Sequence, residues 1–228
     1  MKKIIICLML GVCLMVGCGK KEVIEKPVIT GGWQVYLDNE VSNISDDNQE
    51  MFDLAVKDEK DYQYTTVALL GTQVVAGTNY MFLTKATNLN SGDVSWKIVT
   101  IYRDLTGVGK VFNIKDFNIV DYLESNAEGY PEGLAGGWNI NSEVKSTLNT
   151  EIEEKFNKAL EGLDGAGYSP ISVLGTQVVA GTNYAILTHG VTTTNPPMHT
   201  LNIVKLYVNL NGESEIINIS SIKISDLA

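Results

Sequence analysis

Apolar residues recur at steps of three and four through Val144, Leu148, Ile152, Phe156, Leu160 and Leu163, with charged residues between them. That spacing puts one apolar stripe on a helix, and Gly162 and Gly165 supply its stop. A shorter stripe, Met51, Phe52, Ala55 and Val56, predicts a helix in the first half, with Ser45-Asp46-Asp47 as its N-cap region. After each helix the pattern changes to strand-like runs. They fall near 62–75, 78–89, 95–105 and 110–120, and again near 168–179, 182–194, 199–210 and 213–224. Turn residues divide them: Gly77, Asn90-Ser91-Gly92 and Gly107-Val108-Gly109, then Gly181, Asn195-Pro196-Pro197 and Asn211-Gly212. One helix followed by four meandering strands needs a sheet that wraps across the helix's apolar face, which is an α+β architecture.

The two halves are copies. Leu70-Gly71-Thr72-Gln73-Val74-Val75-Ala76-Gly77-Thr78-Asn79-Tyr80 returns unchanged at 174–184, 104 positions later. Gly31-Gly32-Trp33 pairs with Gly136-Gly137-Trp138, and Tyr102-Arg103-Asp104-Leu105-Thr106-Gly107 with Tyr207-Val208-Asn209-Leu210-Asn211-Gly212. Repeats of about a hundred residues are domains rather than solenoid units, since each is long enough to enclose a core. Inside the identical block, strand-forming residues run into an Ala-Gly pair and resume at Thr-Asn-Tyr, which predicts a tight hairpin with glycine at the positive-φ position. Its apex is Val-Val-Ala. Apolar side chains at a hairpin tip, where water normally selects polar ones, mark a docking surface.

Gln73-Val74-Val75-Ala76-Gly77 and Gln177-Val178-Val179-Ala180-Gly181 resemble the first inhibitory hairpin of cystatins, the protein inhibitors of papain-like cysteine proteases. The longer Thr-Gln-Val-Val-Ala-Gly-Thr-Asn-Tyr resembles the stefin branch, which lacks disulfides. The resemblance implies two tandem cystatin-like domains, 31–120 and 136–228, joined by a linker at 121–135. Each would be one helix wrapped by an antiparallel sheet of four to five strands, with a short leading strand near the Gly-Gly-Trp. It also implies a docking wedge of three parts: a trunk at Gly31-Gly32 and Gly136-Gly137, the first hairpin, and a second hairpin led by Leu105 and Leu210. Such a wedge fills a protease cleft on both sides of the catalytic Cys and offers no peptide bond for attack. The second hairpin departs from the family, because Leu-Thr-Gly and Leu-Asn-Gly stand where stefins carry Leu-Pro-Gly. A loop without its Pro is expected to be less rigid and to lose more entropy on binding. The first domain, with a trunk free of the linker, is expected to bind tighter. Trp33 and Trp138 have no family counterpart and are expected to pack beside the sheet.

At the start of the chain, Lys2 and Lys3 precede an almost wholly apolar run at 4–16 and then Gly17-Cys18. This is the layout of an export signal, too short for a comfortable membrane span. Leu14-Met15-Val16-Gly17-Cys18 resembles a bacterial lipoprotein box, with Met15 where Leu is commoner. It implies removal of residues 1–17, a lipid anchor on Cys18, a polar tether over 18–30 and a place at the cell surface. The competing reading is an ordinary secretory signal that happens to contain Cys.

Composition narrows the chemistry. All three cysteines, Cys7, Cys13 and Cys18, lie in or at the end of that segment, so the mature body holds no disulfide, Cys nucleophile or Cys metal site. Cleavage removes Lys2 and Lys3 and no acidic residue, taking the net charge from −10 to −12. An acidic body disfavours nucleic acid and anionic lipid alike. His189 and His199, with no clustered carboxylate, make a poor metal site. Asp46-Asp47 and Glu153-Glu154 suit solvated helix faces. No Ser–His–Asp pattern and no phosphate loop is present, so neither an enzyme activity, a cofactor nor a small-molecule substrate is expected. The alternative to a protease inhibitor is a cell-surface adhesion or recognition module on the same scaffold.

Overall fold

The computed structural model describes residues 31–35, 44–123, 137–140 and 148–228. The signal segment, Cys18, the tether, Gly136, Val144 and positions 124–135 of the expected linker lie outside the described residues.

Each repeat builds one five-stranded antiparallel sheet in chain order. The first holds β1 (Trp33–Val35), β2 (Tyr62–Val75), β3 (Gly77–Asn88), β4 (Val94–Arg103) and β5 (Gly109–Asp116), with α1 (Asp46–Val56) between β1 and β2. After β5 comes a short helix, α2 (Val120–Leu123). The second repeats the plan: β6 (Trp138–Ile140), α3 (Thr150–Ala159), β7 (Ala166–Val179), β8 (Gly181–Thr192), β9 (His199–Val208), β10 (Ser214–Ile222) and α4 (Ile224–Leu227). The expected strands near 110–120 and 213–224 are shorter than the pattern suggested. Their last apolar residues leave the sheet and enter α2 and α4. The apolar stripe of the second repeat also overshoots its helix. Leu163 lies beyond Gly162, whose φ of 84° turns the chain away, and it is 45% exposed.

Both helices are capped as their sequences require. Ser45 Oγ accepts from Asn48 N at 3.3 Å and Asn149 Oδ1 from Ile152 N at 2.9 Å, each satisfying a backbone donor of the first turn. The α1 face buries Met51 and Phe52 against Leu69, Phe82, Val99 and Ile101. The α3 face buries Ile152 and Phe156 against Ile186, Val204, Leu206 and Val208.

The other face of each sheet is not solvated. Leu70, Met81, Leu83, Trp96 and Ile98 of the first pack with Leu174, Ala185, Leu187, Leu201 and Ile203 of the second in one cluster, so the layers run helix, sheet, sheet, helix. Along β3, Met81 and Leu83 face the second sheet while Phe82 faces α1, the period-two alternation of a strand buried on both sides. Two register shifts in β2, at Val67 and Leu70, recur in β7 at Ile171 and Leu174. All four of these bulge residues lie in the shared cluster. The bulges bend each long strand, and that curvature lets a sheet wrap a helix while meeting its twin.

The junction is reciprocal. Ile119, just past β5, reaches Gly175, where a Cβ would stand 2.8 Å from its side chain and 2.8 Å from Asn139 O. Ile224, just past β10, occupies the matching space at Gly71, where a Cβ would also meet Gln34 O at 2.5 Å. Trp96 Nε1 donates to Leu174 O at 2.7 Å across the junction. Trp138 is buried in this shared cluster and Trp33 packs half-buried against it, so the tryptophans serve contact between the sheets.

Candidate docking edge

In both repeats the hairpin turns at the predicted glycine. Val75 pairs with Gly77 and Val179 with Gly181, leaving Ala76 and Ala180 at the apex. Gly77 has φ 127° and Gly181 φ 130°, backbone that disfavours any side chain. The tips are exposed: Val74 37%, Val75 39%, Val178 58% and Val179 43%.

The trunk and the second loop stand at the same end of the first sheet. Gly31 N donates to Val74 O at 2.9 Å, and Gln73 Nε2 donates to Gly31 O at 2.9 Å. Asn79 Nδ2 in turn donates to Gln73 Oε1 at 2.8 Å, so the glutamine is fixed from both sides. Trp33 then pairs with Gln73 in the ladder. Gly32 sits half-exposed beside it. In the second repeat Asn183 Nδ2 donates to Gln177 Oε1 at 2.7 Å and Trp138 pairs with Gln177, but Gly137 is buried. The structure therefore brings Gly31, Gly32, Gln73, Val74, Val75, Ala76, Gly77 and Leu105 onto one edge. It brings Gly137, Gln177, Val178, Val179, Ala180, Gly181 and Leu210 onto the other.

Leu105 and Leu210 are 86% and 85% exposed at the tips of the second loops. Where the family has Pro, each second loop is built around a polar side chain. Asp104 Oδ1 accepts from Thr106 N at 2.8 Å, Thr106 Oγ1 at 2.6 Å and Val108 N at 3.0 Å. Asn209 Oδ1 accepts from Asn211 N at 2.9 Å and Glu213 N at 3.0 Å. In both loops a side-chain oxygen gathers the loop's own amides, the local bonding that makes Asp and Asn turn formers. The Thr106 hydroxyl and then the Val108 amide hold the Asp104 carboxyl below its ordinary value.

Tyr102 adds a contact that sequence reasoning did not anticipate. Its hydroxyl donates to Ala76 O at 2.5 Å, and Tyr207 does the same to Ala180 O at 2.5 Å. Tyr102, Asp104 and their partners Tyr207 and Asn209 were visible as aligned positions. A tyrosine near a strand end gives no sign of where its hydroxyl lands, and that depends on the neighbouring hairpin.

Elsewhere the chemistry is sparse. Asp47, expected on a solvated helix face, pairs with Arg103 at 2.6 Å, and that guanidinium lowers its carboxyl. His189 Nε2 and His199 Nδ1 are 3.0 Å apart and share a hydrogen bond across β8 and β9. Among the described residues no three His, Cys, Asp or Glu side chains gather as metal ligands, and no helix is long and apolar enough to cross a membrane. The chain matches no protein-family model and no curated protein.

Proposed function

We propose that this chain is a tandem cystatin-like, stefin-related protein that reversibly inhibits papain-like cysteine endopeptidases, exported as a lipoprotein tethered through Cys18. The observation that carries this reading is the clustering of three elements on one sheet edge: the Gly31 trunk, the Gln-Val-Val-Ala-Gly tip and the Leu105 loop. The second repeat offers the same tip and the Leu210 loop. Fold order supports it too, since a leading strand, a helix and four meandering strands are what the resemblance implies.

Magnitudes say how such an edge must act. Burying the remainder of Val74 and Val75, 37% and 39% exposed, contributes about 0.5–1 kcal/mol each, and burying Leu105, 86% exposed, about 1.5–3 kcal/mol. Association costs about 4–15 kcal/mol in lost freedom. One tip cannot offset that, so trunk and both loops must dock together, already shaped. The protease's catalytic Cys is then covered by side chains and backbone held too far back for attack.

Titrating the mature protein against papain tests the reading. Reversible, stoichiometric loss of activity is expected. No inhibition at micromolar concentrations would instead favour an adhesion or recognition module using the same edge. For the anchor, a palmitate analogue should label the wild type, and labelling that persists in Cys18→Ala would refute it.

A further inference from the structure

We propose that Tyr102 and Tyr207 are positioning residues that lock the two docking loops of each edge into one rigid unit. This deepens the inhibitor reading and rests on it for its partner. Each tyrosine lies two residues before the side chain that builds its second loop, Asp104 or Asn209, and its hydroxyl reaches across to the apex carbonyl of the first loop. Tyr102 pairs with Asn79 and Tyr207 with Asn183, the same asparagines that hold Gln73 and Gln177. One short segment therefore ties trunk-side glutamine, tip and second loop together.

The turn glycine belongs to this device. A Cβ on Gly77 would lie 2.8 Å from the Tyr102 ring and 2.5 Å from Arg103 O; one on Gly181 would lie 2.9 Å from the Tyr207 ring and also meet Val208 O. Glycine at the turn thus serves two needs, the positive φ and the room for a tyrosine lying against the hairpin. Among the described residues Ala76 O has no ladder partner, so losing the hydroxyl frees the tip without opening the sheet. The tip's apolar side chains can only dock without an ordering cost if that apex is fixed beforehand.

The test is Tyr102→Phe with Tyr207→Phe in the full mature chain, since Phe keeps the ring packing and removes only the hydroxyl. Amide exchange across residues 74–78 and 178–182 should accelerate, while the melting temperature falls only by the few degrees that two net hydrogen bonds allow. Dissociation from papain should speed up by about 2- to 12-fold, the range that one net hydrogen bond of 0.5–1.5 kcal/mol allows, with association little changed. Unchanged exchange overturns the proposal, and so does faster exchange with unchanged dissociation. If the wild type does not inhibit papain, the inhibitor reading fails, and exchange at the tips alone decides whether the tyrosines position them.

Discussion

The first and second repeats carry the same eleven residues at their hairpin tips, yet present them differently. Val178 and Val179 stand further into solvent than Val74 and Val75, while Gln177 is buried and Gln73 is not. Behind the tips the trunks also part: Gly32 is half-exposed, and its counterpart Gly137 is buried. The helices differ as well. Arg103 ties β4 to the first turn of α1 through Asp47, whereas Val208 at the matching place simply joins the apolar cluster under α3. Identical local sequence thus fixes the turn but not its surroundings. A tip is a property of its block, and an edge is a property of the neighbours.

The largest test of equivalence lies in the cores. Phe52→Ala and Phe156→Ala each remove a fully buried ring under a helix and should cost about 3–5 kcal/mol in urea unfolding. A single transition in both variants would show that the shared cluster makes the repeats unfold as one. Two transitions, with only the mutated repeat shifted, would separate them. Gly71→Ala and Gly175→Ala should follow at about 1–3 kcal/mol, because the added methyl meets the other repeat's isoleucine and a β-strand carbonyl. Very unequal losses would show that the junction is less reciprocal than its geometry.

Function gives the next contrast. Gly77→Glu and Gly181→Glu force a side chain into positive φ and against the Tyr102 or Tyr207 ring. Each should weaken its own edge at least about tenfold in a papain titration. The first edge, with its exposed Gly31, is expected to be the tighter. If Gly181→Glu abolishes inhibition and Gly77→Glu leaves it intact, tip exposure outranks the trunk.

The smallest effect is a pH difference between the second loops. Asp104 has a lowered folded-state pKa, so its contribution is present above the unfolded carboxylate value and is lost as pH falls through the folded one. Asn209 itself does not titrate, and the Glu213 carboxylate beside it accepts from its Nδ2 at 2.7 Å rather than from a loop amide. Exchange at the Thr106 and Val108 amides should therefore lose protection on acidification while Asn211 and Glu213 keep theirs. Asp104→Asn should erase the difference, and equal behaviour of both loops would refute it.

Much was legible in the residues. The duplication, the two helices, the Ser45 start of the first, the hairpin turning at Gly77 and the exposed Leu105 all follow from local chemistry: period, capping and positive φ. The tertiary structure alone decided what lies across space. Runs such as Met81-Phe82-Leu83 announce burial but do not say that one face meets α1 and the other a second sheet. Nor does sequence say that the Leu-Gly opening of the repeated block makes room for an isoleucine from the other copy, or that a tyrosine hydroxyl holds the tip. Those contacts join residues tens of positions apart, and they exist only once bulged strands bring the two sheets together, whereas a turn is set by the residues within it.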